Sequence, residues 1–198
     1  MKKFWILALT VLMLLSVMQI VERQLSLSQK LVRLHVVANS DTAEDQQIKL
    51  LVRDAVLDQV QTLTEDCANQ DQTVQVLQAH LPELEQTAAS TLRQLGSRDA
   101  VHITLGPERF PTRYYDTFTL PAGQYTSLRV ELGQGTGRNW WCVAFPTLCT
   151  AAQAQDMQAI AADYGFTEQE IAMITEPGAY QVDFKLLELL ERVVALFA

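Results

Sequence analysis

At 198 residues the chain is long enough for one domain with a substantial hydrophobic core. Its formal net charge is −8, and the 13 basic and 23 acidic residues from Glu22 onward make that part more acidic still, which argues against nucleic acid or anionic headgroups as the main partner. Gly and Pro are sparse and no repeat or low-complexity tract is visible, which excludes a linker or a repeat array.

The N-terminus stands apart. Met1-Lys2-Lys3 precedes an almost unbroken apolar run from Phe4 to Ile20. A positive start followed by such a run marks a secretory signal or a signal anchor. The run is slightly short of the about 20 residues of a comfortable span. Val17-Met18-Gln19 is a poor cleavage site, so cleavage stays open. The sequence thus divides into 1–21, a signal peptide or anchor, and 22–198, a single exported domain that meets the membrane only through its N-terminal segment.

Residues 31–38 are apolar, β-branched and partly alternating, and predict a strand. Asn39 and Ser40 end it. Asp41 with Glu44 has the form of a capping box, with Ser40 as the rival cap. A helix over about 42–63 follows, striped by Ile48, Val52, Val56 and Val60. Asn39, Asp45, Lys49 and Arg53 fall on its exposed side, where Asp45 and Lys49 can pair at i,i+4. A second helical region carries Val74, Leu77 and Leu81. Pro82 marks the first position of a further helix, which Gly96 stops.

Strands come next. Val101, Ile103 and Leu105 alternate with polar residues; 112–120 and 124–132 flank Pro-Ala-Gly as a hairpin; 133–137 is a glycine loop; Asn139–Phe145 is a strand ended by Pro146. Thr167 with Glu170 forms another capping box, and a last helix covers about 181–197. The order β, α, α, strands, helices predicts an α+β fold, a largely antiparallel sheet covered by helices.

Little chemistry announces itself. A Cys–His hydrolase has its pieces in Cys142 or Cys149, His35 or His102, and Asn39, but no local motif binds them into a set. His35, His80 and His102 lack paired zinc spacing, and no calcium loop surrounds Asn39-Ser40-Asp41. No metal and no cofactor are expected. In an exported chain the spacing of Cys142 and Cys149 allows a disulfide without requiring it; such a bridge would contribute roughly 2–3 kcal/mol. Trp140 and Trp141 on one strand point to opposite faces, so one fills the core and the other needs a cover or a partner.

The segments "LHVVANSDTAEDQQIKLLVRDAVL" and "NWWCVAFPTLC" resemble the stage II sporulation protein R family of endospore formers. The resemblance covers about residues 30–150 and extends to "YQVDFKLLELLE". It implies a signalling protein, not an enzyme, exported from the forespore into the space between the two sporangial membranes. The implied partner is a membrane-embedded aspartic protease that cuts pro-sigma-E in the mother cell. No catalytic residue carries over. The expected contact lies at the strand-to-helix junction, His35, Asn39, Asp41, Asp45, Lys49 and Arg53, or on the strand of Trp140 and Trp141. Charge reversal at Lys49 or Arg53 is expected to impair signalling without unfolding. The alternative is an exported Cys/His hydrolase of the cell envelope.

Overall fold

A computed structural model describes residues 2–148 and 154–196. The element order is α1 (Lys2–Ser28), β1 (Val32–Val37), α2 (Ala43–Thr64), α3 (Gln70–Gln94), β2 (Val101–Phe110), β3 (Arg113–Tyr114), β4 (Thr119–Leu120), β5 (Gly123–Leu132), β6 (Asn139–Phe145), α4 (Ala154–Asp163), α5 (Glu168–Thr175), a 3-10 turn (Pro177–Tyr180) and α6 (Gln181–Ala195). The fold is α+β. Its main sheet runs β2-β5-β1-β6, parallel between β1 and β5 and antiparallel at its other two pairings.

Every residue of β1 is buried because the strand is central and covered on both faces. Period-two alternation sends Val32, Leu34 and Val36 into a core shared with α2 and α3 through Val52, Val56, Leu77, Leu84 and Ala88. Arg33 and His35 point to the opposite face. There Leu27 and Leu31 join Phe110, Tyr125, Val143, Met173, Ile174 and Phe184 in a second core.

Three local expectations are corrected. The α2 cap is Thr42, whose hydroxyl accepts from the Asp45 backbone N–H, and neither Asp41 nor Ser40 fills that role. Pro82 lies inside α3 and starts no new helix. Proline removes one backbone donor, but Gln78, whose carbonyl loses it, is exposed to water, and Leu77 and Leu84 dock on either side of the proline. The end of α3 is as read: Ser97 N–H donates to Leu92 O (2.9 Å) and Gly96 N–H to Arg93 O (3.1 Å), with Gly96 at φ +80°.

The expected hairpin about Pro121-Ala122-Gly123 is replaced by a larger one. β5 pairs with β2, Phe110 opposite Gly123, and the intervening β3 and β4 form their own two-stranded flap. Alternating residues in 112–120 gave a strand signal, yet only four of them pair.

Helix α1 is long and apolar enough to cross a membrane over Lys3–Ser28. It runs unbroken through the expected boundary at residue 21, and its last two turns belong to the domain. Gln24, Leu27 and Ser28 are buried. Ser26 and Lys30 both bond the Glu170 carboxylate, at 2.7 and 2.6 Å. That carboxylate also closes the capping box of α5 with Thr167. Burial raises the Glu170 pKa, but the bonds from Lys30 and Ser26 outweigh it and hold the carboxyl below its ordinary range.

Candidate interaction surface at the strand–helix junction

The stretch Asn39-Ser40-Asp41-Thr42 follows from topology. β5 and β6 lie on either side of β1, so the loop joining them must cross the carboxyl end of β1. It does so at Ala38–Ser40. Gly137 N–H donates to Ala38 O (2.9 Å), and Thr136 donates to Asn39 O from its N–H (3.3 Å) and its hydroxyl (2.8 Å). The Asn39 side chain accepts from Gln134 N–H (3.0 Å) and donates to Asp45 Oδ2 (3.1 Å). Gly133, at φ +58°, packs on the Asn39 amide, and Gly137 on the Ser40 carbonyl, with no room for a side chain at either place.

The acids of the junction are engaged in the same stitching. Asp45 accepts from Ser40 Oγ at 2.5 Å, the main cause of its lowered pKa, and Asp41 accepts from Arg138 N–H at 2.7 Å. Lys49 is a correction: it is 4 % exposed, not on the outer side. Its ammonium donates to Gln46 Oε1 (2.7 Å) and Arg138 O (2.9 Å), and these bonds replace the expected pair with Asp45. Burial lowers its pKa, helped by the nearby Arg138 and Arg53.

What faces solvent here is smaller. Trp140, which shares a face with Val36 and the α2–α3 core, is 37 % exposed. The Arg53 guanidinium lies 4.2 Å from its ring centroid and pairs with Asp54. Arg138 and Asp41 extend this surface, at 72 % and 65 % side-chain exposure. Trp140, Asp41 and Arg138 therefore form the accessible part of one patch, with the Arg53 side chain, only 17 % exposed, lying against the Trp140 ring. Asn39, Asp45 and Lys49 hold it from behind.

His35 and Trp141 occupy the other face of the sheet. Their rings stack at 3.8 Å and 14°, and Phe110 meets the indole edge-on at 4.9 Å. His35 Nδ1 bonds Glu108 Oε1 and Nε2 bonds Asn139 Oδ1, each at 2.8 Å. Arg129 joins Glu108 (2.8 Å) to Glu131 (2.6 Å). Burial raises the Glu108 pKa, yet the His35 bond, the Ser127 hydroxyl and Arg129 bring it down to about 2. His35 is thus 2 % exposed, inside a polar network apart from the junction patch.

The Cys–His alternative needs a thiol beside an imidazole. Cys67 is a buried free thiol, Cys142 is disulfide-bonded, and Cys149 lies outside the described residues. Both ring nitrogens of His35 are engaged by oxygens, and His102 faces Glu85 at 3.6 Å. Among the described residues no cluster of three or more His, Cys, Asp or Glu side chains could hold a metal ion.

Sequence reasoning missed Arg33. It is fully buried, donating to Cys142 O (2.9 Å) and Tyr115 Oη (2.7 Å) between the rings of Phe110 and Tyr125. Its place in a strand otherwise apolar at 32, 34 and 36 was the available signal.

The sequence model of the family described as stage II sporulation protein R matches residues 28–155. A curated relative, the stage II sporulation protein R of Bacillus subtilis (strain 168), is 37 % identical over 118 residues, 60 % of this chain and 53 % of the relative. The chain thus spans about half the length of that relative. No solved structure matches.

Proposed function

Since the chain belongs to the stage II sporulation protein R family, we propose that it is an exported sporulation signal which activates a membrane-embedded aspartic protease, so that pro-sigma-E is processed in the mother cell. It is made in the forespore and presents its domain in the space between the two sporangial membranes. The observation that carries this reading is the family match across residues 28–155, which takes in both the junction and the Trp140-Trp141 strand. The positively charged N-terminus followed by the apolar α1 supports export or anchoring.

The contact surface is the patch of Arg53, Trp140, Asp41 and Arg138. A half-exposed tryptophan under a guanidinium offers a large rigid anchor beside a charge, the composition favoured at the centre of interfaces. The network behind it fixes its geometry before binding, which reduces the ordering that association demands. The domain acts by occupancy of a receptor and contributes no group to the cleavage.

The test is reconstitution. The chain is expressed, exported, in a non-sporulating host together with the membrane protease and its pro-sigma substrate. Precursor cleavage that requires the exported chain is expected. Absence of cleavage, with all three proteins made and correctly located, overturns the proposal.

A further inference from the structure

Helix α6 carries more apolar surface than the domain uses. Phe184 docks it on the second core, and Leu187 on the same side is buried. Val182, Leu189, Val193 and Leu196 remain exposed, at 79 %, 57 %, 43 % and 81 %. Together with the half-buried Leu186 they recur at 4-3-4-3 spacing, an arc of about 80° at 100° per residue, centred opposite the docked face. Surface hydrophobics scattered singly need no explanation, but a continuous stripe marks an interface.

Two observations say what covers it. The first is continuity with α1. That helix enters the domain without a linker, fixed by buried Leu27 and by the Ser26 and Lys30 bonds to Glu170, and α6 packs against it. A bilayer holding the outer part of α1 is therefore held close to α6. The second is charge. Lys185 and Arg192 border the stripe on one side, both exposed; Lys185 also pairs with Glu188 at 2.9 Å, and Glu191 is turned onto Arg109 at 3.2 Å. The domain as a whole is acidic, yet the cations next to this stripe suit anionic headgroups.

We propose that α6 lies in the surface of the membrane that α1 enters, its stripe of Val182, Leu186, Leu189, Val193 and Leu196 set among the headgroups and upper acyl chains. The domain is then held by two elements, a spanning helix and an interfacial one, and its orientation on the bilayer is fixed. This inference rests on α1 residing in the membrane, and goes beyond that reading by assigning the partner of α6.

Site-specific photocrosslinking of the full chain in vesicles of phosphatidylethanolamine and phosphatidylglycerol tests it. Benzoylphenylalanine is introduced singly as Leu9→benzoylphenylalanine in α1, Leu189→benzoylphenylalanine in α6 and Gln47→benzoylphenylalanine on α2. Phospholipid adducts are expected at positions 9 and 189, with yields at 189 at least roughly ten-fold above those at 47. Lipid adducts at 9 without any at 189 overturn the inference and leave the α1 anchor standing. Crosslinked dimers through 189 in place of lipid adducts overturn it in favour of a second copy of the chain. Absence of lipid adducts at 9 removes the anchor itself, and the α6 assignment with it.

Discussion

The guanidinium of Arg53 lies 4.2 Å from the centroid of the Trp140 indole, joining the third turn of α2 to the first residues of β6 in one surface. Such a partly exposed contact contributes about 0.5–1 kcal/mol to the fold. On the proposed function, the same tryptophan desolvated against the receptor would be worth about 2 kcal/mol or more to binding. Trp140→Ala and Arg53→Glu should therefore lower protease activation at least roughly ten-fold. Arg53→Glu should shift unfolding free energy by no more than about 1 kcal/mol, and Trp140→Ala, which also removes the covered area of an indole only 37 % exposed, by about 2–3 kcal/mol. Activation is read as pro-sigma cleavage in the reconstituted system and stability by urea unfolding. Full signalling by both variants would remove the patch from the contact.

Lys49 behaves differently from Arg53, although both are basic residues of the same helix. Its ammonium is buried and donates to Gln46 Oε1 and Arg138 O. Lys49→Met leaves those acceptors unmet, at about 1–3 kcal/mol, and Lys49→Glu adds a buried anion facing two oxygens. Both should melt early, the glutamate variant more so. A Lys49→Glu protein that melts with the wild type would contradict the buried placement. Charge reversal therefore separates signalling from folding at Arg53 and not at Lys49.

Much of the fold was legible because periodicity reports it directly. β1, α2, β6, the Thr167 capping box and α6 follow from alternation, a 3.6-residue stripe or a capping pair. The junction was located but misassigned in part. Counting along a helix put Lys49 outside, because nothing local says that a loop from residues 133–138 will cross over it. That crossing is a consequence of strand order, and strand order is a tertiary property. The pairing of β2 with β5 was hidden for the same reason: β3 and β4 read as sheet strands although they form a separate flap. His35 was grouped with its sequence neighbours, yet strand alternation places it on the opposite face from Trp140.

Glu108 makes stability depend on acid. Its folded pKa is about 2 against an ordinary 4.5, so the unfolded chain takes up its proton first as pH falls. The contribution is fully present above about pH 4.5 and is lost as the pH drops toward 2, with an upper bound of about 3 kcal/mol. Glu108→Gln cannot titrate. Urea unfolding at pH 6 and pH 3 should show a stability loss on acidification that is smaller by about 1 kcal/mol or more in the variant than in the wild type. Equal losses would mean that Glu108 is not held ionised by His35 and Arg129.

Gly137 tests the loop crossing itself. Its backbone N–H bonds Ala38 O at 2.9 Å, and a methyl group built on it collides with the Ser40 carbonyl oxygen and approaches the Ala38 side chain. The obstacle is backbone, so no rotamer change relieves it. Gly137→Ala must push the loop off the end of β1, which strains the Arg138 N–H bond to Asp41 and the Lys49 bond to Arg138 O. A loss of about 2–3 kcal/mol is expected, in the range of overpacked sites. Gly178→Ala, at a glycine with open space around its Cα, serves as the control and should unfold with the wild type. Hydrogen exchange locates the effect: protection should fall at Thr136, Gly137 and Arg138 in the Gly137 variant. A Gly137→Ala protein with unchanged stability and unchanged exchange at those amides would place the β5–β6 loop elsewhere, and the Arg53–Trp140 patch would lose the frame that holds it.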